Sequence, residues 1–217
     1  MNRNGSGVIG WPLSAKPMRV IAGQYGGRTL RTLKGRALRP TSDFLREALF
    51  NILAPTIEDT VFVDAFAGSG AVGIEALSRG ARQAIFVERD QAAAGVLRRN
   101  LDSLGVTLGT SLTKPMKTFP GTAELLSLDV EAAFQRLSAH RIKADIVFAD
   151  PPYADVDAYD TTLKLLGKSD LLARNGLAIF EHARRRSLPD LSGKLERTRV
   201  VEHGDSALSF YEFALAA

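Results

Sequence analysis

The sequence predicts an α/β fold, with a mostly parallel sheet of seven strands ending in an antiparallel hairpin. Three observations carry that reading. From residue 60 onward, apolar runs of strand length alternate with segments of helical period, the pattern of parallel strands covered by helices on both faces. A glycine-rich turn, DAFAGSGAVG, follows the first run directly and opens the first helix. The last stretch, LERTRVVEHGDSALSFYEFAL, reads instead as two strands around the turn His203-Gly204-Asp205-Ser206.

Three regions follow from composition. Residues 1–17, MNRNGSGVIGWPLSAKP, are rich in Gly, Ser, Asn and Pro without a period and are expected to be a poorly ordered leader, with Trp11 the one residue that argues otherwise. Residues 18–58 are basic. There MRVIAGQYGGRTL predicts a hairpin carrying Arg19, Arg28 and Arg31, and Lys34, Arg36 and Arg39 lie on the loop that continues it. RPTSDFLREALFNIL then starts a helix: Thr41 or Ser42 suits the N-cap, Asp43 the positive end of the dipole, and Leu45, Leu49, Ile52 and Leu53 share a face.

Residues 59–217 hold the alternating pattern. TVFVDAF is the first strand, followed by the glycine loop and a helix to about Ser78, with Gly80 as its stop signal. Gln83–Glu88 is a second strand and Gln91–Leu104 a helix. After a turn-rich stretch, TAELLSL predicts a third strand leading to Asp129, with a helix over about Glu131–Ser138. Asp145–Ala149 is the fourth strand, Val156–Leu166 a helix, and GLAIFE the fifth strand.

Composition excludes several classes. The 217 residues contain no cysteine, which rules out disulfides, thiolate metal sites and a cysteine nucleophile. His140, His182 and His203 have no ligand spacing, so no metal is expected. No apolar run reaches the roughly 20 residues of a membrane span, and no basic-then-apolar signal opens the chain, so the expectation is a cytoplasmic protein. The net charge of +4 is segregated: residues 1–46 carry nine Lys or Arg against one acid, and the remainder 19 against 23. Like charges crowded at one end suit a polyanion partner, with a solvated tail as the plain alternative.

The chemistry is concentrated at the ends of the strands. Gly68, Gly70 and Gly73 follow a strand as GxGxxG, with Glu88 at the end of the second strand, which satisfies a dinucleotide fingerprint and keeps a nicotinamide enzyme in view. Asp64, immediately before the loop, would face a pyrophosphate unfavourably but suits a cationic amino group. S-adenosylmethionine fits these residues better: Asp64 and the Gly68–Gly70 backbone for its amino-acid end, Glu88 for the ribose, and Asp129 for the adenine amine or as a plain helix N-cap. In DIVFADPPY the apolar run ends in Asp150, Pro151, Pro152 and Tyr153. A carboxylate, fixed carbonyls and a flat ring suit a planar group bearing an NH₂, with a proline-rich turn as the bland reading.

DAFAGSGAVG, FVERD and ADPPY, at this spacing and with a terminal hairpin, resemble Rossmann-like class I S-adenosylmethionine methyltransferases that act on exocyclic amines. VIAGQYGGRTL, LRPTSDFLREALFNIL and FAGSGAVGIEALSRGA more narrowly resemble the bacterial 16S rRNA guanine-N2 methyltransferases of the RsmD type, from about Arg19 onward. DPPY alone is shared with adenine-N6 and protein glutamine methyltransferases. The chain departs from the family pattern at Ala22, where glycine is usual, and at Phe44, where a basic residue is common.

The resemblance implies a cofactor set of Asp64, Ala67, Gly68, Ser69, Gly70, Glu88, Arg89, Asp129 and Val130, and a catalytic set of Asp150, Pro151, Pro152 and Tyr153. It implies RNA contacts from Arg19, Arg28, Arg31, Lys34, Arg36, Arg39 and Arg46, with Arg184-Arg185-Arg186 as an addition to this surface or a solvated loop. The implied substrate is 16S rRNA in a small-subunit assembly particle, where the family's target, the guanine at position 966, is flipped against Tyr153. A non-catalytic RNA-binding factor with the same fold is the other class to be separated.

Overall fold

Apolar runs bounded by helices produce one mixed sheet. The computed structural model of the chain describes residues 17–33, 40–109, 121–152 and 155–214. The elements are α1 (Pro40–Leu53), β1 (Val61–Asp64), α2 (Ala71–Ser78), β2 (Gln83–Val87), α3 (Gln91–Leu104), β3 (Thr122–Leu126) and α4 (Val130–Ala139). They continue as β4 (Ala144–Ala149), α5 (Val156–Lys168), β5 (Leu172–Ala183), β6 (Leu191–Ser192), β7 (Leu195–His203) and β8 (Ser206–Phe213).

The strands lie in the order β3-β2-β1-β4-β5-β8-β7-β6. The first five run parallel, and β8, β7 and β6 are antiparallel to their neighbours. Among the described residues eight strands stand where seven are expected. The addition, β6, pairs Leu191 with Glu196 and Ser192 with Leu195 across a turn in which Gly193 has φ 60°. Two residues are too few to carry an alternation that a sequence pattern can register. Every residue of β1 and β2 is buried, as expected of strands covered on both faces.

Helix α1 packs Leu45, Leu49, Phe50 and Leu53 against Phe62, Ile146, Phe148 and Phe210 of the sheet. Each such buried side chain contributes about 1.5–3 kcal/mol. The helix begins at Pro40, so Thr41 and Ser42 fall inside its first turn and are not its cap. Proline is suited to that first position, where an N–H has no intrahelical partner. A short link joins the end of α1 to the start of β1, so the beginning of α1 lies at the carboxyl edge of the sheet.

The basic segment 17–33 is held against α2 by the Glu75 and Ser78 side chains and the Ser78 carbonyl rather than by a ladder. Its hairpin reduces to one antiparallel bridge, Arg19 with Thr29, around a turn in which Val20 N donates to Arg28 O at 3.0 Å. The Glu75 carboxylate, fully buried on α2, accepts from Ile21 N at 2.7 Å, Ala22 N at 3.0 Å and Arg79 Nε at 2.7 Å. Ser78 Oγ accepts from Tyr25 N at 2.9 Å, and Ser78 O from Gln24 N at 2.8 Å. A Cβ at Gly23, whose φ is +79°, would lie 1.9 Å from Ser78 O, so the approach demands glycine. Val20, Tyr25 and Leu30 complete the contact by joining the core formed by α2, α3 and β2.

Candidate functional site

The sheet reverses its winding between β1 and β4, and ligands of open α/β sheets bind at the carboxyl ends of strands beside such a point. A cavity of about 890 Å³ opens there. Its walls come from Ala65 and Phe66 after β1, Val87 to Asp90 after β2, Leu128 to Glu131 after β3, and Asp150, Pro152 and Asp155 after β4. Ala158, Thr161, Thr162 and Leu165 of α5 close one side, and Leu33 reaches it from the basic segment.

The glycine loop shapes this edge. Gly70 caps α2 with φ 83°, and a Cβ there would lie 2.1 Å from Leu97 Cδ1. A Cβ at Gly73 would lie 2.3 Å from the Phe86 ring, so the third glycine lets α2 close on β2. Glu88 ties the loop to the second strand: one carboxylate oxygen accepts from Gly68 N at 2.8 Å and the other from Asp90 N at 2.7 Å. Asn100 ties it to the basic segment, accepting from Arg31 N at 2.8 Å and donating to Ser69 O at 2.9 Å and Arg31 O at 3.0 Å.

Of the cofactor residues expected from sequence, Glu88, Arg89, Asp129 and Val130 line the cavity. Ala67, Gly68, Ser69 and Gly70 form the turn beside it and are not among its walls. Asp64 lies below: it is 2% exposed, and its carboxylate accepts from Gly73 N at 3.0 Å. From that position Asp64 holds the first turns of α2 through Gly73 N. Burial pushes its carboxyl up to about 7, against the lowering effect of the Gly73 N–H, and the like charges of Asp150 and Glu88 add to the rise. Asp129 does cap a helix, accepting from Ala132 N at 2.8 Å, and faces the cavity as well.

At the fourth strand, Asp150 is exposed and Pro152 stands beside it on the cavity wall. Pro151 is buried, and its carbonyl accepts from the hydroxyl of fully buried Tyr159 at 3.2 Å. That carbonyl is therefore held by α5 as well as by its proline ring. Arg186 lies over the Tyr159 ring, 4.5 Å from its centroid. Tyr153 lies outside the described residues, as do Lys34, Arg36 and Arg39.

The remaining cations divide into two groups. Arg19, Arg28 and Arg31 are exposed on the docked basic segment, Arg28 also donating to Ser103 O. Arg46 is 6% exposed and donates to Arg19 O at 2.7 Å. Its place on α1 turns it toward the segment above. His182 is buried, with Nε2 2.8 Å from Ser209 Oγ, and burial lowers its pKa. Among the described residues no group of three or more His, Asp or Glu could hold a metal ion, and no helix is long and apolar enough to cross a membrane.

Charge decides what the cavity can hold. Among the described residues, six carboxylates line it, Glu88, Asp90, Asp129, Glu131, Asp150 and Asp155, with one cation, Arg89. A pyrophosphate would meet repulsion from nearly every wall, whereas a ligand carrying an ammonium and a sulfonium would be attracted. A parallel sheet with an antiparallel terminal hairpin, a glycine loop after β1 and an acid at the end of β4 define the class I methyltransferase fold.

The chain belongs to the family described as Conserved hypothetical protein 95, whose model matches residues 18–212. It is 34% identical over 211 residues to "Ribosomal RNA small subunit methyltransferase D" of Escherichia coli strain K12, covering 97% of this chain and 93% of that one. The Haemophilus influenzae protein of the same name is 35% identical over 173 residues, covering 78% and 81%. A solved protein from Thermus thermophilus is 28% identical with a TM-score of 0.72, covering 90% of this chain and 99% of that one.

Several contributors had escaped the sequence reading. Tyr159, Glu75 and Asn100 lie on helices whose period identifies the buried face, but a period does not say which loop a buried polar group will meet. Asp90 and Asp155 had a usable signal, an acid immediately before a helix. Both are N-caps, accepting from Ala93 N at 2.7 Å and Ala158 N at 3.2 Å.

Proposed function

We propose that this protein is a cytoplasmic enzyme that transfers a methyl group from S-adenosylmethionine to the exocyclic N2 amine of a guanine in 16S rRNA, within a small-subunit assembly particle. One observation carries the reading: Asp150 ends β4 on the wall of an acidic cavity large enough for the cofactor. The family and its relatives named as ribosomal RNA methyltransferases support the substrate class.

The carboxylates of the cavity suit the cofactor's cationic amino group and sulfonium, Glu88 suits the ribose hydroxyls, and Asp129 suits the adenine amine. S-adenosylmethionine supplies a methyl group on a positively charged sulfur. Guanine N2 is a poor nucleophile because its lone pair is delocalised into the ring. Asp150 accepts one amine N–H, and the Pro151 carbonyl, with its second lone pair, accepts the other. Two acceptors held on a rigid turn favour a pyramidal nitrogen whose lone pair can be aimed, so positioning and local charge do most of the work. As the nitrogen gains positive charge it becomes acidic, and the Asp150 carboxylate is an acceptor for its proton. Tyr153 would receive the flipped base by stacking. Arg19, Arg28 and Arg31, continued by Lys34, Arg36 and Arg39, hold phosphates, which orients the RNA without reading its sequence.

The test is transfer of labelled methyl to small ribosomal subunits, naked rRNA, DNA and protein in parallel, followed by nucleoside analysis. The expected product is N2-methylguanosine from the ribosomal substrates alone. Methylated adenine would overturn the choice of amine. Tight NAD binding without S-adenosylmethionine binding would overturn the enzyme class, and RNA binding without any transfer would leave a binding factor.

A further inference from the structure

An exposed aromatic stack stands on the same sheet edge as Asp150, outside the cavity. Phe44, in the second turn of α1, is 51% exposed and lies against His203 with ring centroids 3.8 Å apart and planes 21° from parallel. His203 closes β7 at the hairpin tip, where it pairs with Ser206, and Ser206 pairs with Ala183 at the end of β5. Both the tip and the start of α1 are therefore at the carboxyl edge, where β4 delivers Asp150.

Phe44 stands outside the core that α1 forms with the sheet. The inner face of α1 is filled by Leu45, Leu49, Phe50 and Leu53, and a phenyl ring left half in water gains little from burial. Cations and acids both stand near the two rings, Arg184 Nε lying 3.9 Å from Glu202 beside His203. Arg184 N donates to Asp205 O at 2.8 Å, which sets the run Arg184-Arg185-Arg186 beside the tip, and Arg184 and Arg185 are exposed. An open aromatic face flanked by guanidinium groups is the combination that binds unpaired bases, the ring taking the base and the cations its phosphates.

We propose that Phe44, backed by His203, is a second stacking platform that takes an unpaired base flanking the target nucleotide, with Arg184 and Arg185 on the adjoining phosphates. The inference rests on the proposal that the substrate is RNA, and it concerns a ring distinct from the DPPY turn. Extraction of the target base leaves its neighbours without a stacking partner, and a ring on the same edge replaces it. Stacking of this kind tolerates any base, so the platform adds affinity and orientation without adding sequence preference.

The experiment uses the full chain with S-adenosylhomocysteine and rRNA oligonucleotides in which 2-aminopurine replaces each nucleotide flanking the target in turn. Binding to the wild type should quench one flanking probe, and Phe44→Ala should abolish that quench and weaken RNA affinity about tenfold, the order of one lost base–aromatic stack. Phe44→Trp should restore both, and cofactor affinity, read by calorimetry, should match wild type in every variant. Thermal melting checks that each variant is folded, and the Trp variant alone decides the matter if Phe44→Ala is not. Unaltered quenching and affinity in Phe44→Ala overturn the platform even if the wild type methylates RNA. Loss of affinity for small-subunit particles without loss for naked RNA also overturns it, since the ring would then meet protein. If the wild type binds RNA without methylating it, the quench still decides the platform while the proposed reaction falls.

Discussion

The Tyr159 hydroxyl donates to the Pro151 carbonyl at 3.2 Å, so a helix facing the cavity grips the DPPY turn from beneath. Proline restricts the carbonyl's setting from within the turn, and Tyr159 restrains it from outside. Tyr159→Phe removes only that hydrogen bond. It is expected to lower kcat about fivefold to tenfold, the order of one lost hydrogen bond, with S-adenosylmethionine affinity unchanged. Steady-state kinetics and calorimetry check this, and cofactor affinity falling in step with kcat would mean that Tyr159 merely shapes the cavity.

Asp150 is exposed at the end of β4 and has no place in the core. Asp150→Ala is therefore expected to leave folding intact and cofactor binding largely so, while turnover drops about 100-fold or more through loss of a positioned charge. Single-turnover methyl transfer measures it, and wild-type turnover in that variant would remove Asp150 from the reaction.

Glu75 joins the basic segment to the catalytic sheet. Its buried carboxylate accepts from Ile21 N, Ala22 N and Arg79 Nε, and Glu75→Ala leaves all three donors without it. The expected loss of stability is about 3 kcal/mol by urea unfolding. Limited proteolysis should show the segment around Arg28 opening first, and equal protection of that segment in both proteins would contradict the role.

The carboxyl of Asp64 gives a pH prediction with a definite sign. Its folded value, about 7, lies above the ordinary 3.8, so the folded state holds this proton more tightly than the unfolded chain. Well below pH 3.8 both states are protonated and the group contributes nothing. As pH rises toward 7 the unfolded chain alone ionises, and the group's contribution turns progressively against folding, by about 4 kcal/mol at most. Denaturant unfolding should show Asp64→Asn gaining on wild type between pH 5 and 8, and a pH-independent difference would refute the assignment. A cation in the cavity favours the ionised carboxylate, so S-adenosylmethionine binding should release protons and tighten as pH rises through 7.

Phosphate contacts make RNA affinity depend on salt. Arg28→Ala and Arg31→Ala are each expected to weaken RNA binding and to reduce the slope of log affinity against log salt by about one. Filter binding between low and moderate salt tests both, and an unchanged slope would move the phosphate surface elsewhere.

Much of the fold was legible because it is written in local patterns. Continuous apolar runs marked β1, β2 and β4, and the helix expected over about Gln91–Leu104 is α3. The strand-end acids were legible for the same reason: Glu88, Asp129 and Asp150 each follow an apolar run and reach one cavity. The two-residue β6 was not legible, because pairing across the sheet, rather than a pattern along the chain, defines it.

The sequence by itself determined the class of chemistry, because strand ends, glycine spacing and an acid before two prolines are set by neighbours along the chain. Tertiary structure alone decided which polar groups line the cavity and which are buried beneath it. Asp64 and Glu88 read alike as strand-end acids, yet one is buried under the loop and the other opens on the cavity. Arg46 and Arg31 read alike as basic residues, yet one turns inward to Arg19 and the other faces solvent. Burial depends on what distant segments bring alongside a residue, and that is settled only when the sheet, α1 and the basic segment close on one another.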